Sequence, residues 1–337
     1  MARSDRLVVV GQLVCQFGCA GTEQVEILID TASIPVEATP LCPIPFASYR
    51  LRMETVPYHL PEIRLDVLEA GRGGAPLLLV HGFTGCKEDF ADEVDLLADL
   101  GYHVVAPDLR GHGDSEAPPD EDAYGLRRFV DDVLSLADAL GWTSFDLLGH
   151  SMGGMVAQLV VLGHPDRVSR LILMDTHHGV VDGLDAELVE IGVELARHEG
   201  LEVIQQVLQM GNDPLSNPAF ERACAERPGY REWSESKMLR CSPAMYAALL
   251  QEISTVTDRL DELAAVSVPT LVQIGELDAA FYDASHRIAA RIEGAELVVH
   301  PGAGHCPQFE ATNSWRTSLH SFLGTKASAV GSRVVGA

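Results

Sequence analysis

The residues best suited to chemistry form a five-residue motif, Gly149-His150-Ser151-Met152-Gly153, which matches Gly-x-Ser-x-Gly between a predicted strand and a predicted helix. A serine at the tip of so tight a turn is held in strained dihedral angles, and side chains two positions away on either side would collide. Glycine at 149 and 153 removes that collision, and Gly154 lets the helix pack closely. The motif therefore predicts that Ser151 is a nucleophile. The alternative interpretation is an ordinary helix start with a serine near its cap.

A serine nucleophile needs a base, and the base needs an orienting acid, because serine hydroxyls react poorly at neutral pH. Asp278 closes the apolar run PTLVQIGELD, and His305 lies in the loop PGAGH after the last predicted strand. The order serine, acid, histidine, each after a strand, predicts a Ser-His-Asp triad. Glu276 and Asp175 are the alternative acids. Four other histidines are weaker candidates for the base. His300 lies in a predicted strand and His320 on a late predicted helix. His177 and His178 follow the sixth predicted strand, where they either line the pocket or are ordinary loop residues.

A tetrahedral oxyanion also needs hydrogen-bond donors that are already in place. In this geometry the backbone N–H of Met152, directly after the nucleophile, supplies one donor. The second is expected from the loop after His81-Gly82, most simply from the N–H of Phe83. Phe83 and Met152 are therefore the predicted oxyanion hole.

The elements that must position these residues alternate between short apolar runs and helical periodicity. The segment METVPYHLPEIRLDVLEAG, from Met53, alternates apolar and polar residues as an antiparallel strand pair does. Predicted strands then cover 76–82, 102–108, 145–151, 170–176, 269–278 and 296–301, and predicted helices cover 87–101, 124–141, 153–165, 283–293 and 313–323. This alternation predicts an α/β fold with a mostly parallel, doubly wound sheet covered by helices on both faces.

Residues 177–262 interrupt the alternation with several helical stretches and no clear strand. A helical insertion after the sixth strand is where a cap is expected. The sequence therefore predicts a core of residues 53–176 and 263–325, a helical cap at 177–262 and a C-terminal tail at 326–337. Residues 1–52 lack a sustained period, and we interpret them as an N-terminal extension that carries no chemistry.

The composition argues against several classes of protein. The 337 residues carry a formal net charge of −25, so the chain repels phosphate backbones and anionic headgroups, and we expect neither nucleic acid nor a membrane as partner. The seven cysteines include no Cys-x-x-Cys pair, which argues against a disulfide framework. We therefore expect free thiols and a location in the reducing cytoplasm. Cys86 and Cys306 lie near the predicted site, and we interpret them as small apolar side chains, because neither sits on a strand-to-helix turn beside a base.

Five segments together resemble the α/β-hydrolase superfamily: LLLVHGFTG, DLRGHGDS, LLGHSMGGMVAQ, VPTLVQIGELD and PGAGHCPQFE. The chain is similar to compact bacterial esterase, enol-lactonase and perhydrolase-like members with a helical cap. The resemblance implies that Ser151, Asp278 and His305 form the triad and that neither a metal nor an organic cofactor is needed. Epoxide hydrolases of this superfamily use an aspartate nucleophile where this chain has Ser151. The menaquinone-pathway synthase branch typically has arginine where this chain has Met155.

The sequence favours a hydrolase that acts on a small, mainly uncharged carboxylic ester or lactone through an acyl-enzyme. Residues 177–262 carry 16 acidic and 7 basic residues, a net charge of −9, which disfavours a polyanionic substrate. The alternatives are a C–C bond hydrolase, an enol-lactonase or a perhydrolase using the same three residues, or a ligand sensor with negligible turnover. These alternatives stay open because one scaffold hosts many chemistries.

Overall fold

The computed structural model describes residues 53–181, 184–212 and 217–324. Within these ranges eight strands form one sheet: β1 Glu54–His59, β2 Arg64–Ala70, β3 Ala75–Val80, β4 Tyr102–Pro107, β5 Phe145–His150, β6 Val168–Met174, β7 Thr270–Gly275 and β8 Glu296–His300. The α-helices there are α1 Ala91–Asp99, α2 Leu126–Ala139, α3 Met152–Gly163, α4 Ala186–His198, α5 Leu201–Val207, α6 Pro218–Glu226, α7 Tyr230–Leu239, α8 Pro243–Ile253, α9 Ala279–Arg291, α10 Pro307–Glu310 and α11 Thr312–Leu323. None of the helices in these ranges is long and apolar enough to cross a membrane. The predicted extension 1–52 and the predicted tail 326–337 lie outside the described residues.

The strands lie in the order β1-β2-β4-β3-β5-β6-β7-β8. Strand β2 runs antiparallel to β1 and β4, and every other neighbouring pair is parallel. The antiparallel pair predicted after Met53 is therefore confirmed as β1–β2, and so is the mostly parallel sheet. Since parallel strands point the same way, the loops after β3, β5, β6, β7 and β8 meet at one edge of the sheet, which is where ligands bind in such folds.

Both faces of the sheet are covered, as the side chains of β3 illustrate. Leu78 and Val80 pack into one core cluster with α2 and α3, whereas Leu77 and Leu79 pack into a second cluster with α1 and α11. Successive residues of a strand point to opposite faces, so a strand buried on both faces is an uninterrupted apolar run. Burying each such leucine contributes about 1.5–3 kcal/mol.

Helices α4 to α8 lie between β6 and β7, and we call them the helical insertion. Within it α4 packs against α8, and α5 against α7. One contact of the insertion with the core lies at the start of α8, where the N–H of Ser242 donates to the carbonyl of Gly111 at 2.8 Å. The Tyr246 ring of the same helix lies 4.8 Å from the ring of Phe83. The expectation of helices inserted after the sixth strand is confirmed.

Several predicted elements have different bounds in the structure, and two of these differences lie close to the predicted site residues. The predicted helix at 87–101 is a 3₁₀ helix, Lys87–Phe90, followed by α1, because Phe90 departs from helical dihedral angles (φ −116°, ψ 6°). The carboxylate of Asp89 folds back to accept the N–H of Cys86 at 3.2 Å, which caps this first turn. The predicted strand 269–278 ends at Gly275, so Asp278 lies beyond the strand as the residue preceding α9.

Candidate active site

Ser151 lies at the turn between β5 and α3, with φ 54° and ψ −118°. A positive φ is uncommon for a residue with a side chain and persists only where the surroundings enforce it. Here the N–H of Ser151 donates to the carbonyl of Met174 at 2.9 Å, and the hydroxyl of Thr176 donates to the carbonyl of Ser151 at 2.6 Å. Bonds from β6 and the loop after it therefore hold the serine in this conformation.

The glycines of the motif are required for this turn. A Cβ on Gly149 would lie 2.2 Å from the carbonyl oxygen of Gly153, and a Cβ on Gly153 would lie 2.4 Å from the carbonyl oxygen of Val80. A Cβ on Gly154 would lie 2.5 Å from the Cβ of Thr176. Two of these three contacts are with backbone, which cannot swing away. The predicted steric reason for the glycines is confirmed.

His305 and Asp278 form a buried hydrogen-bonded pair. Asp278 follows β7 and His305 follows β8, and the two side chains meet with 2.7 Å between His305 Nδ1 and Asp278 Oδ2. Because the carboxylate is an acceptor, Nδ1 donates and Nε2 is left to accept a proton. In the part of the chain that the structure describes, His305 makes no hydrogen bond to Ser151 Oγ, a contact that is often long before substrate binds.

His150 connects the serine turn to the histidine. Its Nε2 donates to the carbonyl oxygen of His305 at 2.8 Å, and the two rings lie 4.9 Å apart. Burial and then the neighbouring His305 lower the pKa of His150 to about 3, so its ring is neutral at neutral pH. Sequence reasoning missed this role, because His150 occupies a variable position of the motif and its partner lies 155 residues away.

The two alternative acids are placed differently. Asp175 follows β6 with φ 44°, is fully buried, and accepts a backbone N–H from the end of β7 at 2.9 Å. One oxygen of Asp175, one of Asp278 and one nitrogen of His305 lie within 4.8 Å of one another. Burial, and then the carboxylate of Asp278, raise the pKa of Asp175 well above its usual range, which favours the protonated form of Asp175. Glu276 is exposed and accepts a backbone N–H at 2.7 Å.

The side chains of Asp175, Asp278 and His305 have a spacing that would also suit a metal ion. Their hydrogen bonding is that of an acid–base pair, because His305 Nδ1 already donates to Asp278. Asp175 is the third member, and burial together with Asp278 favours its protonated form, in which a carboxyl group is a poor metal ligand. The arrangement therefore fits proton transfer by His305.

The predicted oxyanion donors both flank the serine. Among the described residues, neither the N–H of Phe83 nor that of Met152 donates in the loop and turn hydrogen bonds. The first N–H groups of a helix have no partner inside it, and Met152 begins α3. The loop that carries Phe83 touches the serine, since a Cβ on Gly82 would lie 3.0 Å from the Cβ of Ser151. The serine turn and the loop that touches it therefore each carry one N–H that donates in none of these loop and turn bonds, and the oxyanion hole stays a prediction.

The two neighbouring cysteines are packed as small apolar side chains. Cys86 is buried, and Cys306 packs partly buried against an aromatic cluster that includes Phe309. Burial raises the pKa of both thiols well above the usual range, which disfavours the reactive thiolate.

The histidines after β6 brace the helical insertion. His178 Nδ1 donates to a carboxylate oxygen of Asp258 at 2.9 Å, and its Nε2 accepts from the guanidinium of Arg287 at 2.9 Å. The ring of His177 lies 4.6 Å from that of His178. Since Asp258 follows α8 and Arg287 is on α9, this cluster joins both ends of the insertion to the core.

An ion pair next to the loop that carries Phe83 was also missed by sequence reasoning. Lys237, on α7 of the insertion, donates to Asp89 at 2.7 Å. Asp89 follows the loop that carries Phe83 and is buried. No spacing rule predicts a pair of residues 148 positions apart.

Comparisons with known proteins agree with this architecture. Residues 75–192 match a family described as the alpha/beta hydrolase fold. Epoxide hydrolase A of Mycobacterium tuberculosis is 41% identical over 108 residues, and this match covers 32% of the chain and 34% of that protein. The chain thus spans about a third of the length of the epoxide hydrolases it matches.

Two other relatives match over nearly their whole length. The 2-hydroxymuconate semialdehyde hydrolase of a Pseudomonas species is 28% identical over 282 residues, covering 79% of this chain and 96% of that protein. The solved structure of a thermophilic esterase from Thermogutta terrifontis is 29% identical with a TM-score of 0.69, and it covers 80% of this chain and 98% of its own.

Proposed function

Because the chain belongs to the α/β-hydrolase superfamily, we propose that it is a serine hydrolase that cleaves a small, mainly uncharged carboxylic ester or lactone through an acyl-enzyme. One observation carries this proposal. The strained Ser151 turn lies beside the hydrogen-bonded pair His305–Asp278, and His150 ties the two together. Strain held in place by surrounding bonds is typical of functional residues.

In the proposed first step, His305 Nε2 takes the proton of the Ser151 hydroxyl while Oγ attacks the carbonyl carbon of the ester. Asp278 holds the ring in the tautomer with Nε2 free and stabilises the imidazolium that forms. The N–H groups of Phe83 and Met152 bind the oxyanion, and one such donor is typically worth about 3–4 kcal/mol. The imidazolium then gives its proton to the alkoxide as the C–O bond breaks, which leaves the acyl group on Ser151.

The second step releases the acid. His305 Nε2 takes a proton from a water molecule, whose oxygen attacks the acyl carbon, and the same two N–H groups bind the second oxyanion. Collapse of this intermediate breaks the bond to Ser151 Oγ, which recovers its proton from His305. Burial and the neighbouring His305 lower the pKa of His150, so it stays neutral and does not repel the imidazolium that forms in each step.

An uncharged substrate is supported by the ion pairs that two basic residues at the C-terminal end of α7 already make within the protein. Lys237 pairs with Asp89 at 2.7 Å, and Arg240 pairs with Asp114 at 3.1 Å and with Glu88 at 3.4 Å. A substrate carboxylate would have to displace one of these acids, at a cost in desolvated charge. The net negative charge of the insertion points the same way.

A C–C bond hydrolase is the second candidate. It is favoured by the relative with 96% coverage, a 2-hydroxymuconate semialdehyde hydrolase, and it would use the same three residues. Epoxide opening is less favoured, because that chemistry in this superfamily needs a carboxylate where Ser151 stands and the epoxide hydrolases match over only about a third of their length.

A substrate panel with a covalent probe tests the proposal. The purified protein is incubated with short-chain aryl esters, with a neutral lactone and with 2-hydroxymuconate semialdehyde, and in parallel with a fluorophosphonate. We expect ester or lactone turnover and labelling that disappears in Ser151→Ala. Turnover of the semialdehyde alone would favour the C–C hydrolase. A folded protein that is neither labelled nor active on any member of the panel would contradict both.

A further inference from the structure

The loop that carries the proposed oxyanion donor Phe83 is held by a buried carboxylate. We define the oxyanion loop as residues 81–86. Asp89 Oδ2 accepts the N–H of Cys86 at 3.2 Å, and it lies so close to Gly85 that a Cβ there would approach it to 2.6 Å. Thr84 has φ 56°, a conformation that non-glycine residues keep only when neighbours enforce it. Asp89 is thus the side chain that fixes the end of this strained loop.

The other oxygen of Asp89 binds the helical insertion. Asp89 Oδ1 accepts from Lys237 Nζ at 2.7 Å. Asp89 is only 3% exposed and the Lys237 side chain 14%, so the pair is largely shielded from water. Lys237 Nζ also lies 4.7 Å from the centre of the Trp233 ring, over its face. Arg240, which directly follows α7, pairs with Glu88. Two consecutive acids after the oxyanion loop therefore bind two basic residues at the C-terminal end of α7.

Each member of this pair keeps the other charged. Burial alone would raise the pKa of Asp89, but Lys237 together with His81 and His150 outweighs burial, and the pKa is lowered. Burial alone would lower the pKa of Lys237, but Asp89 together with the neighbouring Cys86 and Cys306 outweighs burial, and the pKa is raised. Removing one partner of such a pair leaves an uncompensated buried charge, which is strongly unfavourable. An unpaired Asp89 would have to reach water, and the oxyanion loop bonded to it would move as well.

We propose that Lys237 is a positioning residue that acts through Asp89: docking of α7 on the core holds the oxyanion loop so that the N–H of Phe83 faces the reacting carbonyl. The insertion thus completes the oxyanion hole as well as enclosing the substrate. The catalytic part of this inference rests on the proposed serine hydrolase function. The coupling between α7 and the loop does not, since it follows from the two contacts of one carboxylate.

The test is a double-mutant cycle with a control on the same helix. The variants are Lys237→Met, Asp89→Asn and the double variant, which leaves no unpaired buried charge. Lys237→Arg restores the cation. Arg231→Gln is the control, because Arg231 lies on α7 but pairs at 2.6 Å with Glu221 inside the insertion. For each variant kcat and KM are measured on one aryl ester, and amide hydrogen exchange is measured in residues 82–90.

We expect Lys237→Met to lower kcat by about tenfold to a hundredfold with KM nearly unchanged, since a misplaced donor weakens only the transition state. In the Asp89→Asn background the lysine substitution should add little, because coupled residues are not additive. Exchange in residues 82–90 should accelerate in Lys237→Met and in the double variant. Lys237→Arg and Arg231→Gln should stay close to wild type in both measurements.

Three results would overturn the inference: additive losses in the cycle, a change in KM alone, or unchanged exchange in residues 82–90. A loss in kcat that varies strongly with the acyl group would also overturn it, because Lys237 would then touch the substrate directly. If the wild-type protein hydrolyses no ester, the proposed function fails, while the exchange comparison still decides whether Lys237 holds the loop.

Discussion

Asparagine in place of Asp278 removes the charge that faces His305 but keeps the shape of the side chain. The contact is 2.7 Å long and its two residues are buried, with 5% and 7% of their surface exposed. An amide in that position neither stabilises the imidazolium nor enforces the tautomer with Nε2 free. The equivalent change in the serine protease triad lowers kcat about 10⁴-fold. We expect a loss of about 10³–10⁴-fold, or about 4–5.5 kcal/mol of transition-state stabilisation.

The matched control is Asp175→Asn, the same chemical change beside the same histidine. Burial and the neighbouring Asp278 raise the pKa of Asp175, which favours its neutral form. Its oxygen that accepts the backbone N–H of Gly275 has a counterpart in asparagine. We therefore expect a neutral amide at this position to change kcat by less than about threefold, because the hydrogen bond is kept and the neutral form is the one that the site favours.

The assay is steady-state hydrolysis of one aryl ester by both variants and the wild type, with thermal unfolding as a check on folding. Both variants should unfold cooperatively. If Asp175→Asn abolished turnover while Asp278→Asn kept it, the acid would be assigned to the wrong carboxylate. Equal losses in the two variants would mean that the two carboxyl groups act as one shared acid.

Three further predictions concern residues around the same turn. Gly149→Ala should abolish fluorophosphonate labelling and lower the yield of folded protein, because its Cβ would lie 2.2 Å from a carbonyl oxygen, whereas Gly163→Ala, with open space at its Cβ, should label like the wild type. The pKa of His150 is lowered to about 3 in the folded protein, so between about pH 6.5 and 3 the unfolded chain binds more protons, and the thermal stability falls as the pH falls. His150→Gln removes this titrating group, so we expect its thermal stability to fall less steeply than that of the wild type over the same pH range. An unchanged pH slope would show that His150 is not the group responsible. Cys86→Ser and Cys306→Ser should keep most of the activity, measured as kcat/KM, because burial disfavours both thiolates; complete loss in a folded variant would contradict this.

The elements of the core could be predicted from the sequence because each is written in a local pattern. Apolar runs such as that of β3 are buried on both faces, and the glycines around Ser151 meet the backbone at 2.2 and 2.4 Å. The predicted bounds of helices and strands were less accurate where side-chain contacts decide where an element begins or ends. Asp89 caps a separate 3₁₀ turn before α1, and Asp278 lies three residues beyond the end of β7.

The contacts between distant parts of the chain could not be predicted. His150 meets His305 across 155 positions, and Lys237 meets Asp89 across 148. Such contacts follow from how β5, β8 and α7 are placed in space, and no local period or spacing encodes them. Asp175 illustrates the same limit, because the sequence marks it as an acid after a strand but not as an acid with a raised pKa. That property comes from burial and from the neighbouring Asp278.

The most direct measurement of the central claim is the site of the acyl group during turnover. The protein is mixed with excess p-nitrophenyl ester, quenched in acid within the first turnovers and digested, and the peptides are mapped by mass spectrometry. We predict one acyl group per chain on the hydroxyl of Ser151, formed with a burst of p-nitrophenol and absent from Ser151→Ala. Turnover without an acylated Ser151, together with a Ser151→Ala variant that stays active, would show that Ser151 is not the nucleophile.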